Sequence, residues 1–184
     1  DNYGTVFSVE HPDWDFNVEY LEQKGCIVDN YIVFLRRDEI KSEIEPILTD
    51  IYGDCKISVL PEWFAPPSTT KDTTSTELLS AAFQGEANCM VIVCYTTAPI
   101  ENRDADLIAA IQAIQENGYA FTFCVRYTNG EIFDEIPDEH YREFPLDMKR
   151  YYCKTRSYIW SKSCWDYEWE EGQLSDVEEA NPEQ

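Results

Sequence analysis

Residues 89–127 read CMVIVCYTTAPIENRDADLIAAIQAIQENGYAFTFCVRY, the pattern of a strand, a helix and a second strand. Cys89 to Thr97 is a continuous apolar run, which is typical of a central strand buried on both faces. The apolar residues after it recur at helical spacing, and Asn117-Gly118 is a common helix end. We expect Asp104 to cap this helix at its N-terminus. The segment therefore predicts a βαβ unit.

A similar pattern precedes it in the chain. Cys26 to Leu35 is β-branched and aromatic and predicts a strand, and Lys56 to Leu60 predicts another. Between them, apolar residues from Ile40 to Ile51 recur at helical spacing, and Gly53 follows as a stop. Pro46 lies inside this pattern, so we expect a kink there or a helix that begins near it. The segments 31–60 and 89–127 would suit the two split βαβ units of a ferredoxin-like sheet.

Two further signals favour antiparallel pairing. Asn129-Gly130, between Tyr119–Tyr127 and Glu131–Ile136, is the commonest turn of a two-residue hairpin. Asp13 to Tyr20 alternates strictly between apolar and polar residues and predicts a half-buried strand. We predict an α+β fold with a mainly antiparallel sheet and two or three helices. A doubly wound α/β sheet, which would use a further helix at 75–84, is the alternative.

The chain has one stretch of low complexity. Residues 65–74 read APPSTTKDTT and predict a mobile loop. Thr74 and Glu77 have the spacing of a capping box, which predicts a short helix that ends near Gly85. We expect residues 1–171 to form a single α+β domain and residues 172–184 to form an acidic flexible tail.

Charge excludes several classes of partner. The 184 residues carry 36 acidic and 14 basic side chains, a formal net charge of −22. Such a field repels nucleic acids and anionic lipid surfaces, so we expect no nucleic-acid partner. The longest apolar run, Cys89 to Tyr95, is far shorter than the roughly 20 residues of a membrane-spanning helix, and we expect no transmembrane segment.

No catalytic motif stands out. His11 and His140 are the only histidines, the seven glycines never occur as G-x-G, and the seven cysteines include no C-x-x-C. Nucleophilic hydrolases, phosphate-binding loops and redox motifs need those patterns. We therefore expect no cofactor and no enzyme activity. Cysteines inside apolar runs should be free and buried.

The sequence offers ligands for two possible metal sites, and neither is favoured. The N-terminal strand carries oxygen ligands at the alternate positions of a calcium loop: Asp13, Asp15, Asn17 and Glu19. However, Val18 stands where the loop needs glycine, and Lys24 stands where it needs a bidentate glutamate. A zinc site would have to bring together the distant Cys153, Cys164 and His140. We expect no metal.

The C-terminal region predicts a hairpin, in which 151–160 pairs with 164–169 around Ser161-Lys162-Ser163. A three-residue turn makes facing residue numbers sum to 324 and sets Trp160 opposite Cys164. It also brings opposite charges together on one face and aromatic residues on the other: Arg156–Glu168, Lys154–Glu170, Ile159–Trp165 and Thr155–Trp169. This register separates Cys153 from Cys164, so we expect no disulfide between them.

This hairpin is the candidate binding site, because Trp, Tyr and Arg dominate interface hot spots and both of its faces carry aromatic residues. The candidate binding residues are Tyr151, Lys154, Arg156, Tyr158, Trp160, Trp165, Tyr167 and Trp169. We expect them to include a partly exposed surface for a protein partner or a small ligand.

The sequence thus favours a non-enzymatic interaction or ligand-binding domain. Its acidic composition and its start at Asp1, without a leader, lead us to expect an exported or cell-envelope protein, lipoprotein-like, with a cytoplasmic protein as the alternative. A second hypothesis is an acidic inhibitor or immunity-type protein that covers a basic target. A third is an enzyme that uses dispersed carboxylates, which would need a deep cleft with a desolvated acid.

Overall fold

The computed structural model describes residues 2–11, 14–80, 89–138, 151–161 and 164–172. Within these ranges the chain forms eight strands and four α-helices, and the strands are arranged in two separate sheets. One sheet is antiparallel with three strands, and the other is mixed with five. The α+β class predicted from the sequence is therefore confirmed, with four helices in place of the two or three predicted.

The smaller sheet is built from the N-terminal strands β1 (Asn2–Phe7), β2 (Asp15–Leu21) and β3 (Cys26–Asp29) in the order β1-β2-β3. Strand β2 confirms the strand predicted from the alternating segment, whose first residue Asp13 lies outside the described residues. Trp14, immediately before β2, is buried beside Phe34, with ring centroids 5.5 Å apart.

Helix α1 runs from Tyr31 to Tyr52 and contains Pro46. The prediction of one strand through Cys26–Leu35 is therefore wrong, as is a helix start near Pro46. At the helix start, Oδ1 of Asp29 accepts a hydrogen bond from the backbone N–H of Tyr31 over 2.9 Å. The β-branched and aromatic residues of the first turn are buried, and such tertiary packing outweighs intrinsic propensity. The helix ends before Gly53, at a φ of +69°, as predicted.

The larger sheet has its strands in chain order. They are β4 (Cys55–Pro61), β5 (Met90–Thr96), β6 (Thr122–Tyr127), β7 (Cys153–Ser161) and β8 (Cys164–Glu171). Strands β5 and β6 are parallel, and the other neighbours are antiparallel. The strands predicted at 56–60 and 89–97 are confirmed by β4 and β5.

Helix α3 (Arg103–Glu116) connects β5 to β6 and completes the predicted βαβ unit. The second predicted unit is not formed, because β3 and β4 belong to different sheets. The ferredoxin-like arrangement is therefore wrong. A doubly wound sheet is not supported either, since β5–β6 is the one parallel pair among the described residues.

A predicted helix N-cap and a predicted hairpin turn are both absent at the positions expected. Asp104 is not the N-cap of α3; that position is Asn102, at the end of a 3₁₀ turn over Ile100–Asn102. The predicted hairpin at Asn129-Gly130 is wrong, because helix α4 (Gly130–Glu135) begins there. Oδ1 of Asn129 accepts a hydrogen bond from the backbone N–H of Ile132 over 2.8 Å. Asparagine is a good N-cap residue as well as a good turn residue.

The predictions for the loop at 65–74 and for the short helix after it are confirmed in part. Residues 65–74 contain neither helix nor strand. The capping box of Thr74 and Glu77 is present and opens helix α2 (Ser75–Leu79). That helix ends earlier than predicted, and Gly85 lies outside the described residues.

The main core lies on one face of the five-stranded sheet, called the inner face below. Helices α1, α2 and α3 contribute apolar residues to it, including Ile44, Leu48, Leu78, Leu107 and Ile111. The opposite, outer face has a smaller core that includes Val93 and Tyr95 of β5, Ile132 of α4 and Tyr151. No helix in the described part of the chain has the length and hydropathy needed to cross a bilayer.

Candidate functional site

The C-terminal hairpin forms, with most of the predicted register. Facing residues sum to 324 from Cys153–Glu171 to Ile159–Trp165. An irregularity between Ile159 and Ser161 then shifts the pairing by one residue, so that Ser161 faces Cys164. The predicted pairing of Trp160 with Cys164 is therefore wrong. Cys153 is a free thiol, as expected, while the Cys164 side chain lies outside the described residues.

The inner face of the hairpin is part of the core. Tyr167 and Trp169 are partly buried against it, and Nε1 of Trp169 donates a hydrogen bond to Oδ1 of Asp104 over 2.8 Å. Trp165 stacks on Tyr167 with ring centroids 5.4 Å apart and is 38% exposed. Trp169 therefore connects the hairpin to α3, Tyr167 packs against the core, and Trp165 stacks at the end of the hairpin.

The outer face of the hairpin is different in character. There Lys154 and Arg156 of β7 lie beside Arg126 and Cys124 of β6, because the register pairs Arg126 with Lys154 and Cys124 with Arg156. Together with Glu168 and Glu170 of β8, these side chains line a cavity of about 520 Å³. It is larger than the cavity of about 260 Å³ between α1 and β4. Its lining also concentrates three cations, and we take it as the candidate site.

One end of the cavity is a hydrogen-bonded charge cluster. Glu170 accepts from Nζ of Lys154 over 2.7 Å and from the hydroxyl of Tyr151 over 2.7 Å. These two hydrogen bonds, with the nearby charges of Lys154 and Arg126, lower the pKa of Glu170. Burial, followed by the contact with Glu170, raises the pKa of Tyr151 to about 12. Glu170 is therefore ionised and Tyr151 is neutral at neutral pH.

Aromatic rings lie under all three cations. Arg126 is only 6% exposed, and its guanidinium lies 5.8 Å from the ring centroid of Tyr95. Lys154 lies 5.3 Å from the ring centroid of Tyr151, and Arg156 lies 5.4 Å from that of Tyr158. Each such contact contributes about 0.5–1 kcal/mol at an exposed position and more when desolvated. The rings therefore help to hold the cations on this face.

The other end of the cavity is set by Arg156. Its side chain is 48% exposed and forms an ion pair with Glu62, although the strand register places it opposite Glu168. Glu62 also accepts a hydrogen bond from Oγ1 of Thr122 over 2.9 Å. Arg156 is the most exposed of the three cations, so it is the one that a ligand carboxylate reaches first.

The predicted site residues therefore divide between two faces. Tyr151, Lys154, Arg156 and Tyr158 lie on the outer face, and Trp165, Tyr167 and Trp169 lie on the inner face. The side chain of Trp160 lies outside the described residues. Their role in binding stays a prediction.

Three residues at or beside the cavity were missed at the sequence level: Cys124 and Arg126 of its lining, and Glu62, the partner of Arg156. The first two could have been found, because the alternation of Phe123, Val125 and Tyr127 in β6 directs the residues between them to the other face. Glu62 follows the strand at the far edge of the sheet, and no sequence pattern relates it to Arg156.

Two titratable groups of the cavity keep one protonation state at neutral pH. Burial raises the pKa of the Cys124 thiol to about 11, so that it is protonated at neutral pH and a poor nucleophile. The carboxylate of Glu170 is held in its ionised form by its donors. The lining carries three cations against two carboxylates, so the cavity offers a ligand N–H donors and a small excess of positive charge.

Metal ligands do not converge in the described ranges, where no three His, Cys, Asp or Glu side chains could hold an ion together. Several ligands of the two possible metal sites lie outside the described residues: Asp13, His140 and the side chains of Asp15 and Cys164.

Comparison with protein families, curated proteins and solved structures finds no match to this chain. Function must therefore be inferred from the cavity itself.

Proposed function

We propose that this chain is a non-enzymatic binding domain that holds a small organic anion in the cavity on the outer face of β6, β7 and β8. The observation that carries the proposal is the convergence of Arg126, Lys154 and Arg156 on one cavity. The chain has only 14 basic residues and a net charge of −22. In such a chain, a local group of cations is the place where an anion experiences the least repulsion.

The arrangement of the three cations supports a ligand of limited size. The volume of about 520 Å³ lies within the roughly 300–1,000 Å³ of small-molecule sites. Arg126 lies in a buried position, where screening by water is weak. Arg156 lies at the rim, where a ligand carboxylate can replace Glu62 as its partner. Guanidinium groups bind carboxylates in a bidentate manner, which adds orientation to affinity.

Thermal unfolding with small anions tests this proposal. Succinate, citrate and inorganic phosphate are titrated against the purified chain, and calorimetry measures the affinity of any that raise the Tm. We expect a saturable rise in Tm with at least one of them, because a ligand that binds only the folded state stabilises it. R156Q should weaken that affinity by about tenfold, the loss of one charged hydrogen bond.

The matched control is K24Q, which removes one positive charge from an exposed position in the turn after β2. Its affinity for the same anion should equal that of the wild type. An equal loss in R156Q and K24Q would show that net charge, and not the cavity, governs binding. The absence of saturable binding with all three probes would contradict an anion site.

A second function is favoured by the edge of the sheet. Strand β8 is an outermost strand, and its Asp166, Glu168, Glu170 and Glu171 are exposed. These residues suit an acidic inhibitor that covers a basic target, in which association is driven by charge. Binding to a basic protein such as lysozyme, used as a probe, should then weaken steeply with salt and in a variant with these four residues neutralised. Binding that is insensitive to both would exclude this function.

The location outside the cytoplasm is likewise our proposal. It is supported by the acidic composition of the chain. Fractionation of the source cells tests it: recovery with the medium or the envelope is expected, and recovery with the cytoplasmic fraction would contradict it.

A further inference from the structure

Two cysteines meet on the inner face of the five-stranded sheet, away from the cavity described above. Cys55 is the first residue of β4, and Cys94 lies in β5. The antiparallel register pairs Cys55 with Thr96 and Ile57 with Cys94. Residues two apart on one strand share a face, so Cys55 and Cys94 are diagonal neighbours on the same face.

The two side chains share the main core but differ in their surroundings. Cys94 belongs to the apolar cluster on the inner face, and Cys55 packs against that cluster. Cys94 is completely buried, whereas Cys55 is partly exposed. Oγ1 of Thr49, in the last part of α1, lies 3.8 Å from Sγ of Cys55. Cys55 is therefore the member of the pair that a small reagent can reach.

The electrostatics of the pair match this difference in exposure. The neighbouring thiol of Cys94, followed by the hydroxyl of Thr49, lowers the pKa of Cys55 against the opposing effect of burial. Burial raises the pKa of Cys94. Thiolates, and not thiols, react with peroxides, so Cys55 should react first.

We propose that Cys55 and Cys94 form a peroxide-sensitive dithiol, in which Cys55 is oxidised and Cys94 converts the product to an intramolecular disulfide. In the first step, the Cys55 thiolate attacks one oxygen of hydrogen peroxide, the O–O bond breaks, and hydroxide leaves to become water. Cys55 is then a sulfenic acid. In the second step, the sulfur of Cys94 attacks the sulfur of Cys55. Its thiol proton leaves with the displaced hydroxide as a second water, and the S–S bond forms.

The position of Cys55 at a strand end makes the bond attainable. Diagonal neighbours have Cα atoms roughly 7–8 Å apart. A disulfide requires roughly 4.4–6.8 Å, so closure needs a backbone shift of about an ångström. Cys55 directly follows the two-residue connection Gly53-Asp54 between α1 and β4. Such a connection absorbs a small shift more easily than the middle of a strand would.

Mass spectrometry of the oxidised chain tests the proposal. The folded protein is treated with a small excess of hydrogen peroxide, alkylated, denatured and digested without reduction. Trypsin releases Cys55 in peptide 42–56, and Cys94 together with Cys89 in peptide 72–103. Cleavage at Met90 with cyanogen bromide then separates Cys89 from Cys94. We expect a link between Cys55 and Cys94 and a loss of two of the seven thiols per denatured chain.

Variants separate the two steps. C55S should abolish the loss of both thiols, whereas C94S should stop at a Cys55 sulfenic acid that dimedone traps. C26S is the matched control, because Cys26 is also partly exposed but lies in the other sheet, and it should behave as the wild type.

Three results would overturn the proposal. One is a link that involves Cys89 in place of Cys94. Another is first oxidation at Cys26, and the third is conversion of Cys55 to sulfinic acid without a link. The peptide map of the wild type decides among these outcomes even if a variant fails to fold.

Discussion

Nε1 of Trp169 on β8 donates a hydrogen bond to Oδ1 of Asp104, in the first turn of α3, over 2.8 Å. The preceding residue, Arg103, lies over the same indole ring and forms an ion pair with Glu171 over 2.8 Å. The outermost strand of the larger sheet is thereby fixed to the helix that connects β5 and β6. The C-terminal hairpin is an integral part of the fold.

Replacement of Trp169 tests this connection. W169F keeps an aromatic ring but removes the indole donor, and we expect the free energy of unfolding to fall by about 1–2 kcal/mol. Urea denaturation measures it. W165F is the control, because that ring is 38% exposed and stacks only at the hairpin end; its effect should stay within about 0.5 kcal/mol. Equal effects in both variants would contradict the role of the Asp104 contact.

Gly172 allows a close approach between the end of β8 and the start of β7. A Cβ atom on Gly172 would lie 2.6 Å from Cδ2 of Tyr151 and closer still to its carbonyl oxygen. We expect G172A to destabilise the fold by about 1–3 kcal/mol, because backbone must move to relieve the overlap. G130A is the control: nothing lies within 4 Å of its Cβ, and alanine is the better helix former. Comparable losses of Tm in the two variants would refute this packing.

Glu170 makes stability depend on pH in a defined direction. Its pKa is lower in the folded chain, so its contribution is complete above the unfolded pKa of about 4.3 and disappears as the pH falls through the folded value. E170Q should be less stable than the wild type at pH 7, and the difference should vanish at pH 2. Urea denaturation at a series of pH values measures it. E168Q serves as the control, and a difference between wild type and E170Q that persists at pH 2 would contradict the assignment.

Arg36 of α1 donates hydrogen bonds to two carbonyls of the loop at 65–74. Arg36 donates from Nε to the carbonyl of Thr73 over 3.0 Å and from Nη2 to that of Lys71 over 2.9 Å. We predict that trypsin cuts first after Lys71, and that R36Q accelerates this cut by about thirtyfold, the equivalent of two hydrogen bonds of about 1 kcal/mol each. E39Q, which breaks the Arg36–Glu39 ion pair but leaves both loop contacts, is the control. Earliest cleavage within 89–127 would contradict a mobile loop.

The sequence correctly predicted those features of the fold that depend on a few neighbouring residues. The hairpin register follows from turn length, because side chains alternate with a period of two and opposite charges then coincide. The pairing of Trp160 was missed because a bulge depends on how the strand end packs, which turn length does not encode. The capping box of Thr74 and Glu77 was found because it involves only four consecutive residues.

The wrong predictions concern sequence patterns that are compatible with two kinds of secondary structure. Tyr31 to Leu35 has the composition of a strand, but it forms the first turns of α1 because Ile32, Val33 and Phe34 are buried there. Asn129-Gly130 is compatible with a hairpin turn and with a helix N-terminus. The helix forms here, and the side chain of Asn129 caps it by accepting a hydrogen bond from the N–H of Ile132. The candidate cavity combines β6, β7 and β8, and this combination depends on a sheet order that local patterns do not contain.

The chain-order arrangement of β4 to β8 bears on how the protein is made. During synthesis each new strand of this sheet emerges after its neighbour, so the sheet can grow by addition at one edge without rearrangement. The delay between β5 and β6 is the critical interval, since α3 must be translated first. Until then the apolar segment MVIVCYT of β5 has an unpaired edge, and such segments readily associate between chains. We therefore expect ribosome-bound chains that end within α3 to depend most on chaperones.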